Sequence, residues 1–489
     1  MSASKALIRW GPFEGCAVVD NDRNCYDRSS LDDSPLLRSE PMSVAGKPSL
    51  GKPSCGDPVK RLNHAGSTST LSFPGVSSET SRFFNPYSSI AVGKNYILQA
   101  AGTQIAVYDK KEGRHYASIP VGDNIFYNTV AEEVLAVLYD PYSDRFVIAV
   151  TRVRNTDDPR DVVEPYIAFA ITKGSNPLSD GWYRYMLPLP ISTGKLTRLK
   201  LGAWHNGIYL SIGLDNSLAR IAIIDREPIL YGSPLVALYL DIGGSYVVNV
   251  MPPNASITLP PQSENGYFMN FGLTSLRCFE CAINWKKFAG QVRRCHLLPK
   301  GYAATDGTVG QKEVNVKIAY GPSYSTGAQM QAQYSHINNK SSYWVSATNG
   351  NKGLIWLEVG VKSSGELKIL QQQTIPNADG FQRFSPGMAV NKSGNVALVA
   401  TQSSATTFPA TVYFYRFASD PPNLMTKETP LITWTGSNPD VRYLPDKTTW
   451  GFTSAQVDPE DATTFFVSGE GYKTSTSDWW STTINNLKL

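Results

Sequence analysis

The stretch AQVDPEDATTFFVSG, residues 455–469, decides how the chain is read. An apolar run stops at Asp458-Pro459-Glu460-Asp461 and restarts as the β-branched and aromatic run Thr463–Val467. An Asp side chain accepts N–H bonds from the backbone just after it, and Pro fixes φ, so this is a tight turn between two strands. The pattern recurs as VLYDPYSDRFVIAVT (137–151) and MAVNKSGNVALVATQ (388–402), with a weaker copy in QIAVYDKKEGRHYASIP (104–120). Trp450-Gly451, just upstream, reads as the way into the last strand group and not as a reaction site.

Between these hairpins the chain is β almost throughout. Short runs rich in Val, Ile, Tyr, Phe and Thr, such as NYILQAA, YIAFAIT, GIYLSIG, LIWLEVG and TVYFYRF, alternate with Gly, Pro, Asn and Asp turns. No helical period extends beyond about two turns. So many hairpins without helices predict radially repeated four-stranded sheets. The expected fold is all-β, a six- or seven-bladed β-propeller with seven the better fit, spanning residues 83–489. Residues 1–82, rich in Ser, Pro, Gly and Lys, read as an extended N-terminal arm, with Trp10, Phe13, Leu36 and Leu37 as anchors for a partner. An early strand is expected to pair with the last blade and close the ring.

Composition narrows the function classes. The chain has 489 residues, is 42% hydrophobic and 18% charged, and carries a formal charge of +4 with both signs intermixed. No global field selects nucleic acid or an anionic membrane, and no apolar run reaches the roughly 20 residues of a membrane helix. The opening MSASKALIRWGPFEGCAVVD has no cationic start followed by a long apolar stretch, so synthesis without a signal peptide is expected. Six cysteines, unevenly spread, do not resemble a disulfide framework.

RFFNPYSSIAVGKNYILQAAGTQIAVYDKKEG resembles the opening of a bacterial family of sialidase-like β-propeller domains found mostly in exported proteins. The likeness continues in order through YDPYSDRFVIAV, LGAWHNGIYLSI, SLRCFECAINW, GLIWLEVG, FQRFSPGMAVNKSGNVALVATQSS and WGFTSAQVDPEDATTFFVSGEGY, over roughly residues 83–485. It implies the propeller fold and no established reaction. Where the family often has Trp-Gly-Asp, this chain has Trp450-Gly451-Phe452, and where it often has Asp-x-Asp-Gly-Asn it has Asn391-Lys392-Ser393-Gly394-Asn395. Both departures delete carboxylates and make a poor calcium loop.

The residues able to carry chemistry are scattered. Cys278, Cys281, Cys295 and His296 have superficial zinc spacing, but a strand sends residues three apart to opposite faces. Glu280, Glu358, Glu470, Arg383, Arg416 and Arg442 could in principle build a sialidase-like site, yet no motif brings them together. The histidines show no triad spacing, and no phosphate-cradling Gly-rich loop precedes a helix. No catalytic, cofactor or metal residues are therefore expected.

Aromatic residues offer contacts instead. Trp182, Tyr183, Tyr185, Trp479 and Trp480 are candidates for stacking on sugars or anchoring a protein. The expected function is a non-enzymatic structural or interaction protein, docked on a larger assembly through its arm and loop faces, such as a virus-particle surface built in the cytoplasm. Partners are then protein subunits, with no nucleic acid and no membrane span. The alternatives are a carbohydrate-binding propeller and, third, a sialidase-like glycoside hydrolase.

Overall fold

The structure is a computed structural model. It describes residues 7–10, 17–18 and 71–489, except for segments at 79–86, 122–124, 127–129, 155–165, 189–195, 215–218, 241, 243–249, 321–329, 378–379, 427, 439–446, 449–450 and 477–479.

Seven antiparallel sheets follow one another around a central axis, making an all-β, seven-bladed propeller. Blade 1 comprises Ser89–Val92, Tyr96–Ala101, Gln104–Asp109 and His115–Pro120, from the axis outward. Blade 2 is Val130–Asp140, Arg145–Arg154, Tyr166–Thr172 and Trp182–Pro188. Blade 3 is Leu196–Trp204, Gly207–Leu214, Ala219–Ile224 and Leu235–Leu240. Blade 4 has Gly266–Phe271, Leu276–Asn284 and Ala289–Leu297, and on its inner side a bridge joins Met251 to Met269 among the described residues. Blade 5 is Ala332–Ile337, Lys340–Thr348, Gly353–Val361 and Leu367–Pro376. Blade 6 is Gln382–Val390, Val396–Ser403, Ala410–Arg416 and Thr429–Thr433.

Blade 7 closes the ring. Its inner strands are Ser454–Val457, Phe465–Tyr472 and Trp480–Leu487, and its outermost strand, Ser72–Ser77, comes from before blade 1. The ring therefore begins short of the expected boundary at residue 83. The seam is tightened by Gln99 of blade 1, which accepts from Val76 N at 2.8 Å and donates to Thr482 Oγ1 at 2.9 Å. A Cβ on Gly75 would lie 2.3 Å from atoms of both Gln99 and Thr482, so only glycine lets the strand approach this closely. Farther upstream, Leu7–Trp10 adds antiparallel to the outer strand of blade 3, with Leu7 opposite Leu238 and Trp10 opposite Leu235.

The strands hold because both sheet faces are covered. Val396–Ser403 and Phe465–Tyr472 are buried at every position, as the continuous apolar character of most of their residues requires. Apolar clusters lie between blades, for example Ile167, Phe169, Leu210, Ile212 and Leu235 between blades 2 and 3. This burial, at about 25 cal/mol per Å² of apolar area, drives the fold.

Polar clasps then fix each blade against the next. The turn between the first and second strands of blade 2 carries Asp140, fully buried, whose Oδ2 accepts from Arg226 Nε at 2.7 Å. Arg226 follows the third strand of blade 3 and also donates to the carbonyls of Trp204, His205 and Gly207. Blade 7 repeats the device: Asp458 accepts from Lys110 Nζ at 2.7 Å, and Lys110 likewise follows the third strand of blade 1. In blade 4 the equivalent position is Trp285, whose Nε1 donates to Asn206 O of blade 3 at 2.5 Å. The Asn391 turn of blade 6 donates through Nδ2 to Thr463 O of blade 7 at 3.0 Å.

Asp140→Ala leaves the Arg226 guanidinium buried without its counter-charge. Loss of one partner of such a pair costs about 3–5 kcal/mol. Urea unfolding should show a clearly lower midpoint for the variant, and an unchanged midpoint would mean that the carbonyl contacts alone hold Arg226.

Candidate functional site

The aromatic candidates do not form one platform. Trp182 and Tyr183 are half-buried and, as neighbours on a strand, lean into different clusters, Trp182 with blades 1 and 2 and Tyr183 with blades 2 and 3. Tyr185 is a correction: it is fully buried and its hydroxyl donates to Ile229 O, so it packs the core and offers no surface. Trp480 is a second correction, fully buried in the blade 7 cluster with Phe73 and Tyr472. Trp479, Phe13, Leu36 and Leu37 lie outside the described residues, as do Trp450 and Arg442, and Trp10 is placed only by its strand pairing.

The central channel is narrowed by an amide knot. Segment Met251–Ala255 leaves blade 4, accepts from Ala332 N through Pro252 O and donates from Ala255 N to Ala203 O, so it joins blades 3 and 5. A Cβ on Gly202 would lie 2.2 Å from Pro253 O, which is why this crossing needs a glycine. Gln331 Oε1 accepts from Asn254 Nδ2 at 3.2 Å and from Gln456 Nε2 at 2.8 Å, while its own Nε2 donates to Leu201 O at 2.7 Å. Beside the knot is a cavity of about 10 Å³ lined by Ser89, Ile90, Ala136, Val137, Met330 and Ser454. That is room for about one water molecule and not for a small-molecule ligand, and its walls carry no ionisable group.

The residues weighed for a sialidase-like site are separated and occupied. Glu470, fully buried on blade 7, accepts from the backbone N–H of Ser88, Gly451 and Phe452, and so ties the start of blade 1 to the loop before blade 7. Arg383 pairs with Glu428 in blade 6, Glu280 with Arg293 in blade 4, and Glu358 accepts from Ser342 and Gln371 in blade 5. Gly451 has φ 85°, which confirms that this position serves the backbone turn.

Titratable groups from several blades do meet at the face that carries the first turns. Glu264, in the loop leading into Gly266–Phe271, accepts through Oε2 from Ser341 Oγ at 2.7 Å and from Tyr334 OH at 3.1 Å. Its backbone carbonyl accepts from Trp204 Nε1 at 3.1 Å and lies 2.8 Å from His205 Nε2. His336 Nδ1 is 3.0 Å from Ser341 Oγ. Because Ser341 gives its one proton to Glu264, its oxygen is left to accept from His336. That order, with serine between histidine and carboxylate, is unlike a nucleophilic relay, in which histidine sits in the middle.

Burial pushes the Glu264 carboxyl above its ordinary value, against the two hydroxyl donors. Burial likewise lowers His205, favouring the neutral imidazole. Glu264 Oε1 is buried without a hydrogen-bond partner. The cluster thus braces the loop before blade 4 against blades 3 and 5. Sequence reasoning missed it because its members come from three blades, and no local motif joins residues 205, 264 and 336.

No family model matches the chain, and no curated protein sequence does. Among solved structures, the BP39L lectin from Burkholderia pseudomallei aligns at 10% identity, covering 81% of this chain and 98% of the lectin, with TM-score 0.41. The WD40 domain of SCAP from fission yeast aligns at 9% identity over 85% and 97% of the two chains, with TM-score 0.36. Trypanosoma rangeli sialidase aligns at 6% identity over 86% of this chain and 60% of that one, with TM-score 0.34. These likenesses are too distant to carry a function across.

The raised Glu264 carboxyl sets a sign. A carboxyl with its folded pKa above the unfolded one contributes stability below the unfolded value, and that contribution is lost as pH rises through the folded value. Glu264→Gln keeps the acceptor oxygen and removes the titration. Its stability relative to the parent should therefore rise with pH from about 4.5 upward and then level off. Parallel denaturant titrations from acid to neutral pH check this, and a difference independent of pH would mean that Glu264 does not titrate abnormally.

Proposed function

We propose that the chain is a non-enzymatic interaction protein, a propeller that docks onto a larger assembly through its N-terminal segment and its loop faces. The observation that carries this reading is the division of labour upstream of blade 1. Among the described residues Ser72–Ser77 closes the ring, and Leu7–Trp10 pairs away from that seam on the rim of blade 3. A rim that accepts an added strand is a surface suited to recognition through main-chain hydrogen bonds. The buried carboxylates support the same reading, because Asp140, Asp458 and Glu470 each hold a neighbouring blade. The specific form we propose is a surface component of a particle such as a virion, with subunit neighbours as partners.

The test compares the full chain with one beginning at Leu71, which keeps the closing strand; a start at residue 80 would remove it. Light scattering after size exclusion should show an assembly for the full chain alone. Identical monomers from both would sink the docking role of the N-terminal segment.

A second reading, carbohydrate binding, is favoured by one local feature. Tyr231 is 69% exposed, the adjacent Gly232 lies against the Tyr183 ring, and Lys173 Nζ sits 5.1 Å from that ring's centroid. If sugars stack there, Tyr183→Ala and Tyr231→Ala should each weaken glycan-array binding about tenfold, as loss of roughly 1.4 kcal/mol would. Silence of the parent protein across the array removes this reading.

A further inference from the structure

Blade 4 holds three free cysteines, and two of them face each other. Strands Leu276–Asn284 and Ala289–Leu297 pair antiparallel with Cys278 directly opposite Cys295. Directly opposed residues place their side chains on the same sheet face with Cα atoms about 4.5–5.5 Å apart. A disulfide spans Cα separations of about 4.4–6.8 Å, so this pair needs no backbone rearrangement to be joined. Cys281, three residues from Cys278, projects to the other face towards Tyr209 of blade 3 and has no opposed thiol, since its cross-strand partner is Val292.

The two opposed thiols differ in access. Cys278 is fully buried, whereas Cys295 is half-buried on the outer strand of the blade. On the same face of that strand sits Arg293, held by Glu280 with Nε–Oε2 2.6 Å. The Cys278 thiol, and beyond it the Arg293 guanidinium, hold the Cys295 thiol below its ordinary range, while burial pushes Cys278 up. One sulfur is thus reachable and activated, and the other is sequestered within reach of the first.

We propose that Cys278 and Cys295 form an oxidant-responsive dithiol that closes to a cross-strand disulfide, stapling the outer two strands of blade 4. With hydrogen peroxide as oxidant, the Cys295 thiolate attacks one peroxide oxygen, the O–O bond breaks, and the departing hydroxide takes up the proton that the thiol gave up and leaves as water. Cys295 is left as a sulfenic acid. The Cys278 sulfur then attacks the Cys295 sulfur, the S–O bond breaks, and the hydroxyl leaves with the Cys278 proton as a second water. Two thiols are oxidised and one peroxide is reduced.

The full chain is treated with hydrogen peroxide, alkylated without reduction, digested with trypsin and analysed by mass spectrometry. The expected product joins CFECAINWK, residues 278–286, to CHLLPK, residues 295–300. Because the first peptide contains two cysteines, the cross-link must persist in Cys281→Ser and vanish in Cys278→Ala. Oxidation should also raise the thermal midpoint of the parent, reversibly with dithiothreitol, and should not do so in Cys295→Ser, whose half-buried site tolerates the change. The proposal is overturned if Cys295 ends as a sulfinic acid or remains a free thiol with Cys278 still alkylatable after denaturation. It is equally overturned if the cross-link depends on Cys281.

Discussion

The structure depends on each blade being held at its first turn by the blade that follows it. A propeller blade has little covalent connection to its neighbours, and apolar packing between sheets resists sliding only weakly because it is non-directional. Directional contacts at the turns supply what packing lacks. Lys94 of blade 1 meets Asp144 of blade 2 at 2.8 Å, Asp140 of blade 2 meets Arg226 of blade 3, and Asn206 of blade 3 meets Trp285 of blade 4. Glu264 beside blade 4 meets Ser341 and Tyr334 of blade 5, Asn391 of blade 6 meets Thr463 of blade 7, and Asp458 of blade 7 returns to Lys110 of blade 1. Between blades 5 and 6 the first-turn contact is apolar, with Ile337 near Gly394, and the polar clasp lies farther out, where Arg416 Nη1 donates to Gln371 Oε1 at 2.5 Å and Met425 N to Gln373 Oε1 at 2.8 Å.

These clasps explain why acidic residues at repeated turns are poor guides to chemistry in this chain. A carboxylate fully buried beside a guanidinium, as Asp140 is, cannot also serve a substrate without leaving that cation unpaired. The same holds for Glu470, whose two oxygens are taken by three backbone N–H groups. Glu264 differs in degree. One of its oxygens is shared by two hydroxyl donors and the other has none, so it is the least saturated member of the clasp series.

Much of the architecture was legible because hairpin turns are local. Asp140-Pro141 and Asp458-Pro459 announce their strands through residues adjacent in sequence. That an early strand closes the last blade was expected and is found, but its identity as Ser72–Ser77 was not legible, since SFPGVS carries Pro and Gly and reads as a linker. It becomes a strand only because Trp480–Leu487 and Gln99 offer it partners. Tyr185 and Trp480 were misread for a related reason. Alternation along a strand says which residues share a face, but in a propeller both faces meet another blade, so an aromatic residue on either face is buried. The Glu264 cluster was invisible because its members are joined only by the ring.

Blade 4 is where this arrangement is thinnest, and its weakness has a structural origin. After the Met251–Met269 bridge the chain crosses to the next blade, where Pro253–Asn254 pairs in parallel with Ala332–Gln333 of blade 5. Among the described residues the blade has three strands, the outermost of which, Ala289–Leu297, is exposed at several positions. The chain then departs entirely. Hairpin Gly307–Gln311 with Val314–Tyr320 packs against blades 6 and 7, where Tyr320 stacks on Phe384 at 6.1 Å and Ser403 Oγ donates to Gly310 O, before the chain returns to blade 5. Sequence neighbours therefore add little to the outer half of blade 4. Its order rests on cross-strand pairs within the sheet, and of these the Glu280–Arg293 ion pair and the facing thiols of Cys278 and Cys295 share one face. Local opening of the ring should begin where an exposed outer strand and a long detour of the chain coincide, so the contacts along that edge bear more on the ring's integrity than equal contacts elsewhere.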